Sequence, residues 1–228
     1  MTAARATDDR GAAGGVLDRT FAAILFDLDG TLIDSTAAVK RCWLRWTTEF
    51  GVPLPEVIEH GLASRTNAAR YLPAADVEAA AKRWEELEVI DTDGVVAAPG
   101  ARAMFDALPP NRAAIVTSCT IALARARIAA AGLIAPPVTV TVDQLRRGKP
   151  DPEGCLRAAS LLGVDPRDCV VVEDAPAGLA AGTAAGCMTI ALTTTTDRTE
   201  LSADLIVDTL ADLRVTIEPS GIRLRRAP

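Results

Sequence analysis

Lysine is scarce in this chain of 228 residues. It occurs at Lys40, Lys82 and Lys149 alone, and histidine occurs once, at His60. The other basic residues are arginines, scattered except for Arg223, Arg225 and Arg226 near the C-terminus, and the net charge is −6. Such a balance lacks the clustered basic face of a nucleic-acid binder, so no nucleic-acid partner is expected. Paired cysteines are missing too. Cys42, Cys119, Cys155, Cys169 and Cys187 contain no Cys-x-x-Cys spacing, and their odd number points to free thiols in a reducing compartment. No apolar run approaches the length of a membrane span. The opening "MTAARATDDRGAAGGVLDR" has no apolar core of a signal peptide. The expectation from these absences is a cytoplasmic protein without a membrane partner. Aromatics make up only 4% of the residues and alanine is abundant, which suits helices packed closely on a sheet. There is no internal repeat and no long low-complexity segment.

What the chain does have is hydrophobic residues, at 49%, enough for a full core at this length. Strand signals recur at 21–27, 112–118, 137–143, 169–174, 187–192 and 204–208. Several are continuous apolar runs, the pattern of parallel strands buried on both faces. "PVTVTVD" alternates instead, which suits an edge. Helical stretches at 99–108, 120–132, 151–163 and 175–186 fall between the strands, with Pro152 and Gly163 as start and stop signals. Alternating strands and helices predict an α/β fold with a doubly wound parallel sheet.

Residues 36–96 break that rhythm. Val39, Trp43, Trp46 and Phe50, then Val77, Ala80, Trp84 and Leu87, repeat at near-helical spacing. We read an inserted α-helical domain, with its tryptophans as core. The expected division is a flexible tail over 1–18, a sheet-bearing core over 19–35 and 97–228, and a helical insert over 36–96. "RVTIEPSGIRLRR" alternates on both sides of Pro-Ser-Gly and predicts a C-terminal hairpin.

The ligands of open parallel sheets bind at the carboxyl ends of the strands. Asp27 ends the first strand, Thr117 and Ser118 the second, and Glu173 and Asp174 the fourth, while Lys149 follows the third in "RRGKPDPEG". Four separate stretches therefore meet at one edge. Asp27, Asp29 and Asp174 crowded together would repel one another without a cation, and such oxygen donors suit Mg²⁺. A carboxylate at that place can act as a nucleophile and form an acyl phosphate. A second one two residues on can serve as acid and then base. Lys149 supplies a point charge. Thr117 and Ser118 offer a hydroxyl and backbone N–H groups at a helix start, an anion site.

"DLDGT", "VTS", "GKPDPEG" and "VVVEDAPAG" resemble the four motifs of the haloacid dehalogenase superfamily of phosphatases, in order, over about residues 20–210. The insert resembles the helical cap of the branch containing β-phosphoglucomutase and small sugar phosphatases. "AAVKRCWLRW", "EHG", "IVTS…ARAR" and "CVVVEDAPAGLAAG" look closer to the sugar phosphatases. The resemblance implies a Rossmann-like core with Asp27 as nucleophile and Asp29 as acid/base. It implies Mg²⁺ held by the Asp27 side chain, the Asp29 backbone carbonyl and Asp174, with Glu173 nearby or acting through water. Thr117 or Ser118 would hold the phosphoryl oxygens, and Lys149 would bridge phosphate and Asp27. One departure stands out: Cys119 occupies a position that is often glycine in relatives, where a thiol would narrow the phosphate pocket, invite oxidation or simply be tolerated.

Asp29 disfavours halide displacement, which needs no acid for the leaving group. Lys40 and Lys82, the only cap lysines, read as exposed, which disfavours a Schiff-base mechanism. Thr31 tilts toward hydrolysis over mutase chemistry, because mutases usually carry a bulky aliphatic there. The polar stretch His60, Gly61, Arg65, Thr66 and Asn67 is expected to close over a polyol and bind its hydroxyls. Glu85 and Glu88, one helical turn apart, either face the pocket or lie on a solvated face, and the solvated face is the expectation. The resulting expectation is a Mg²⁺-dependent phosphomonoesterase for a small sugar or sugar-alcohol phosphate, monomeric or homodimeric. The alternatives are a hexose-phosphate mutase and a non-catalytic phosphate-ester-binding protein.

Overall fold

The computed structural model describes residues 15–54 and 61–228. The strands, in chain order, are β1 (Thr20–Phe21), β2 (Ala23–Phe26), β3 (Ile33–Asp34), β4 (Val96–Ala97), β5 (Ala113–Val116), β6 (Val138–Val140), β7 (Cys169–Glu173), β8 (Met188–Leu192), β9 (Leu205–Val207), β10 (Leu213–Glu218) and β11 (Gly221–Arg226). The α-helices are α1 (Thr36–Phe50), α2 (Ser64–Ala68), α3 (Val77–Ile90), α4 (Ala101–Ala107), α5 (Ile121–Ala130), α6 (Glu153–Leu162) and α7 (Pro176–Ala184). None of the described helices is long and apolar enough to cross a membrane.

Six strands form one parallel sheet in the order β6-β5-β2-β7-β8-β9. The chain builds outward from β2 through β5 to β6, then restarts at β7 on the other side of β2. The order reverses between β2 and β7, and a crevice opens at the strand ends at such a place. β2, β5 and β7 are buried at every position, as their unbroken apolar sequences require. The alternating β6 lies at the edge. One core packs Phe26, Ile115, Val172 and Ile190 on one face of the sheet. The other packs Leu25, Ala114 and Val171 against Ala158 and Ala159 of α6 and Ala181 of α7. Small residues bring those helices close: a Cβ at Gly182 would already touch Val171 at 3.0 Å.

The apolar run 21–27 is divided between two sheets. Phe21 belongs to β1, which pairs with β11 of the C-terminal hairpin in a three-stranded antiparallel sheet. The N–H of Ala22 donates to the carbonyl of Asp168 at 2.7 Å, at the break. Within the stretch read as a tail, Val16–Asp18 make a 3-10 turn beside β8 and β11 with Val16 buried, so these three residues belong to the folded core.

The insert leaves and re-enters through β3 and β4, paired antiparallel as Ile33 with Ala97 and Asp34 with Val96. Its helices α1, α2 and α3 enclose a separate core containing all three tryptophans. Trp43 and Trp84 meet edge-on with centroids 4.1 Å apart, and the Trp46 Nε1–H donates to the Ala80 carbonyl at 2.8 Å. Gly51, at φ 63°, ends α1 in the left-handed conformation that glycine takes without a Cβ penalty.

Candidate active site

The site grows from the end of β2. The Asp27 N–H continues the ladder to the Val172 carbonyl at 2.9 Å, which fixes its backbone beside the end of β7. There Glu173 and Asp174 follow. Ligating oxygens of Asp27, Glu173 and Asp174, all buried, lie within 4.8 Å of one another. Lys149 reaches into this cluster from the loop before α6 and bonds both Asp27 and Glu173, the latter at 2.5 Å. The loop is held by Glu153, whose carboxylate accepts from the N–H groups of Arg146 and Arg147 at 3.2 and 3.1 Å. Glu173 is fixed on its other oxygen by the N–H groups of Asp174 and Ala175, at 3.0 and 3.1 Å.

Two glycines make this crowding possible. A Cβ at Gly178 on α7 would sit 1.6 Å from Glu173 Oε1. One at Gly30, where φ is +83°, would sit 2.1 Å from Asp174 Oδ2. Thr31 Oγ1 and Thr195 Oγ1 both donate to Asp174, Thr31 at 3.3 Å, and Thr194 Oγ1 donates to the Gly30 carbonyl at 2.5 Å. Thr194 and Thr195 have no signal in a threonine-rich stretch; only the fold brings them to the acids.

Burial pushes the Asp27 carboxyl up to about 7, more than Lys149 pulls it down. Asp174 is raised well above its ordinary range by burial and by its neighbours Glu173 and Asp27. Lys149 is raised despite burial, because Asp27 and Glu173 face it. Three carboxylates against one ammonium leave negative charge uncompensated in a buried site. A hard divalent cation with oxygen ligands fits that donor set.

Asp29 is placed differently from the expectation of three crowded aspartates. Its carboxylate lies outside the cluster, and Glu173 takes the third position. Asp29 Oδ1 accepts from Ser35 Oγ at 2.6 Å. Its Oδ2 accepts from Cys119 Sγ at 3.0 Å and pairs with the Arg127 guanidinium at 2.9 Å. Ser35 stands where the cap of α1 would be, yet makes no side-chain cap. Burial would raise the Asp29 carboxyl, but the Arg127 charge and the Cys119 and Ser35 hydrogen bonds outweigh it and lower it. Cys119 is buried and its thiol is pushed well up, first by burial and then by Asp29. A buried thiol donating to Asp29 fits the tolerated residue among the readings of this position better than a site of oxidation.

Thr117 and Ser118 follow β5 beside these groups. Thr117 Oγ1 accepts from the Cys119 N–H at 3.1 Å. Ser118 Oγ donates to the Gly61 carbonyl of the insert at 2.7 Å, so the hydroxyl already has a partner. The insert thus closes directly on the core. A cavity of about 70 Å³ remains, with Asp27, Asp29, Thr117 and Ser118 on the core side. Trp43, Trp84, Ser64, Asn67, Glu85 and Glu88 face it from the insert.

The insert residues divide. Gly61 and the buried Asn67 line this cavity. Arg65 and Thr66 are exposed and line a wider outer cleft of about 580 Å³ that reaches Lys149, and Arg65 pairs there with Glu78 at 3.0 Å. The helical turn of five-residue α2 carries Asn67 inward while Arg65 and Thr66 stay outside, which a loop reading could not foresee. His60 lies outside the described residues.

Glu85 and Glu88 are corrected outright. Glu85 bonds Thr120 Oγ1, and Glu88 is buried on Arg127 at 2.9 Å. Both glutamates share the inward face of α3 with Trp84. Arg127 was missed as well, although a signal existed. In α5 the buried positions are Leu123, Ala124, Arg127 and Ile128, so helical spacing sets the arginine squarely on the apolar face. Lys40 and Lys82 are exposed, as expected.

The model of a family described as hydrolase, haloacid dehalogenase-like hydrolase, matches residues 21–186. The chain is 44% identical over 207 residues to hexitol phosphatase A of Escherichia coli, covering 86% of this chain and 95% of that protein. It is 33% identical over 201 residues to validoxylamine A 7'-phosphate phosphatase of Streptomyces hygroscopicus subsp. limoneus, covering 83% and 94%. Among solved structures, a hydrolase from Pseudomonas syringae superposes with a TM-score of 0.76 at 24% identity, over 84% of this chain and 95% of that one. On the extent of the family match and of these relatives, the chain belongs to the haloacid dehalogenase-like hydrolases.

Proposed function

We propose that the protein is a Mg²⁺-dependent phosphomonoester hydrolase for small sugar or polyol phosphates, working through a phosphorylated Asp27. The observation that carries this reading is the pairing of Lys149 with Asp27 inside a buried acidic cluster, next to a cavity that Asp29 also lines. The place of Asp27 at the strand end on the crevice supports the role of nucleophile. In the first half-reaction an Asp27 oxygen bonds phosphorus, and the bond from phosphorus to the sugar oxygen breaks. Asp29 gives that oxygen its proton. In the second, Asp29 takes a proton from water, whose oxygen bonds phosphorus while the Asp27–phosphorus bond breaks, which returns Asp27 to its carboxylate and Asp29 to the protonated form in which it entered the cycle. Lys149, the Thr117 hydroxyl and backbone N–H groups at Ser118 hold the phosphoryl oxygens and spread their charge.

Asp27, Asp174 and the Asp29 backbone carbonyl would hold Mg²⁺, with Glu173 supporting them. The ion supplies charge neutralisation at the transferring phosphoryl group. The cavity lining supports this substrate class. Asn67 and Ser64 offer hydroxyl partners, Trp43 and Trp84 an apolar wall, and Glu85 a carboxylate that accepts from hydroxyls and repels a second anionic group. Gly61 contributes a backbone that lies against the core, where a Cβ would meet Ala175 at 2.7 Å. The names of the relatives, a hexitol phosphatase and a phosphatase of a phosphorylated pseudo-sugar, support the same class.

The test is phosphate release from a panel of hexitol, hexose and nucleotide monophosphates, with Mg²⁺ and with a chelator. Hexitol and hexose 6-phosphates should be hydrolysed only with Mg²⁺, and Asp27→Asn should fall to background while keeping its circular dichroism and unfolding transition. Full turnover by Asp27→Asn would remove the nucleophile assignment. Conversion of a hexose 1-phosphate without phosphate release would replace hydrolysis by a mutase.

A further inference from the structure

The Arg127 side chain is 4% exposed and stands between two carboxylates from different parts of the chain. One guanidinium nitrogen meets Asp29 Oδ2 at 2.9 Å; the other meets Glu88 Oε1 at 2.9 Å. Asp29 belongs to the loop after β2, Arg127 to α5 of the core and Glu88 to α3 of the insert. The Arg127 Nε has no hydrogen-bond partner. Burying an arginine so incompletely satisfied is costly, and a buried triad of charges is often matched or bettered by apolar residues at all three places. Stability therefore gives a poor account of this residue. Geometry gives a better one. The planar fork fixes direction as well as charge, and with Ser35 and Cys119 it leaves the Asp29 carboxylate a single orientation.

We infer that Arg127 is a positioning residue that aims the Asp29 carboxylate at the leaving oxygen, and that Glu88 of the insert holds Arg127 in turn. This rests on the reading of Asp29 as the proton donor. Asp29 is then correctly aimed when the insert sits on the core, because one of the two anchors of Arg127 comes from the insert. When Glu88 is removed, the fork loses its second anchor and Asp29 its fixed aim.

The experiment compares kcat/KM for two phosphate esters: a hexitol 6-phosphate, whose departing alkoxide needs a proton, and p-nitrophenyl phosphate, whose phenolate leaves without one. kcat/KM reports steps up to the first irreversible departure and is blind to dephosphorylation. General acid catalysis contributes about 10²–10⁴-fold. Arg127→Met should lower kcat/KM for the hexitol phosphate by about a hundredfold and for p-nitrophenyl phosphate by less than about threefold. Glu88→Gln should show the same selectivity at smaller size, and Arg127→Lys, which keeps the charge but loses the fork, should fall between. Asp29→Asn, run alongside, checks the underlying reading. If Asp29→Asn affects both esters equally, the donor assignment fails and the proposal with it. If Asp29→Asn is selective but the Arg127 and Glu88 variants lower both esters equally, or neither, Arg127 only joins insert to core and the proposal alone is overturned. Thermal unfolding of each variant identifies misfolding. Where Arg127→Met does not fold, Glu88→Gln, which keeps shape and a hydrogen-bond acceptor, decides between these outcomes.

Discussion

Stripped of divalent cations, the protein should lose stability as pH rises from about 4 to about 7, and Mg²⁺ should abolish that loss. In the folded chain, burial outweighs Lys149 and holds a proton on Asp27 up to about 7, against 3.8 for a free aspartate. Between those values the folded state binds more protons than the unfolded state, so its stability falls with rising pH. A difference of roughly three pH units at about 1.36 kcal/mol each amounts to something on the order of 4 kcal/mol. At about 2–4 °C per kcal/mol for a chain of this size, that is roughly a 10 °C drop in Tm. Asp174 is raised in the same direction. Asp29 is lowered, so its contribution disappears only as pH falls below the window. Lys149, being raised, stays protonated throughout. The assay is differential scanning fluorimetry in EDTA and in saturating Mg²⁺ across this range, read as the difference between the two curves, which cancels titrations elsewhere. A gap that widens with pH is expected. Parallel curves would mean that the acids at the end of β2 and β7 hold no cation, and the electrostatic account of the site would fail.

Two further substitutions test the scaffold. Trp46 is fully buried in the insert and donates to Ala80, so Trp46→Ala should cost about 3–5 kcal/mol in urea unfolding; a loss under about 1 kcal/mol would show that the insert has no independent core. Gly178→Ala would drive a methyl into Glu173, and the displaced carboxylate would pull at Lys149. It should cost about 1–3 kcal/mol and most of the phosphate release, whereas wild-type turnover would place the constraint elsewhere.

The parallel sheet was legible because its strands are buried on both faces, and unbroken runs such as Cys169–Glu173 announce that directly. The core motif residues were legible because strand ends converge wherever the topology lets them. Asp29 shows the limit. Adjacency in sequence suggested that its carboxylate crowds those of Asp27 and Asp174, but β2 ends at Phe26 and the turn beyond it carries this carboxylate toward α5. Glu88 and Arg127 were hidden for another reason. Each alone is a charge on an otherwise apolar helix face, and only the packing of α3 on α5 supplies the partner that makes burial tolerable. Arg65, Thr66 and Asn67 differ by a rotation of about 100° per residue, which polarity alone does not reveal.

The ribbon of β3 and β4 begins only four residues after Asp29, and Ile33 is tied to that loop through its carbonyl, which accepts from Gly30 at 2.8 Å, and its N–H, which donates to Leu28 at 3.0 Å. Both crossings to the helical lobe are thus a single strap with one pivot, anchored in the loop that carries the acid. No slack length of chain separates them. A tilt of the lobe about that pivot is geometrically a tug on the segment bearing Asp29, so whatever occupies the cavity and props the lobe would also be felt in the backbone that carries the proposed proton donor.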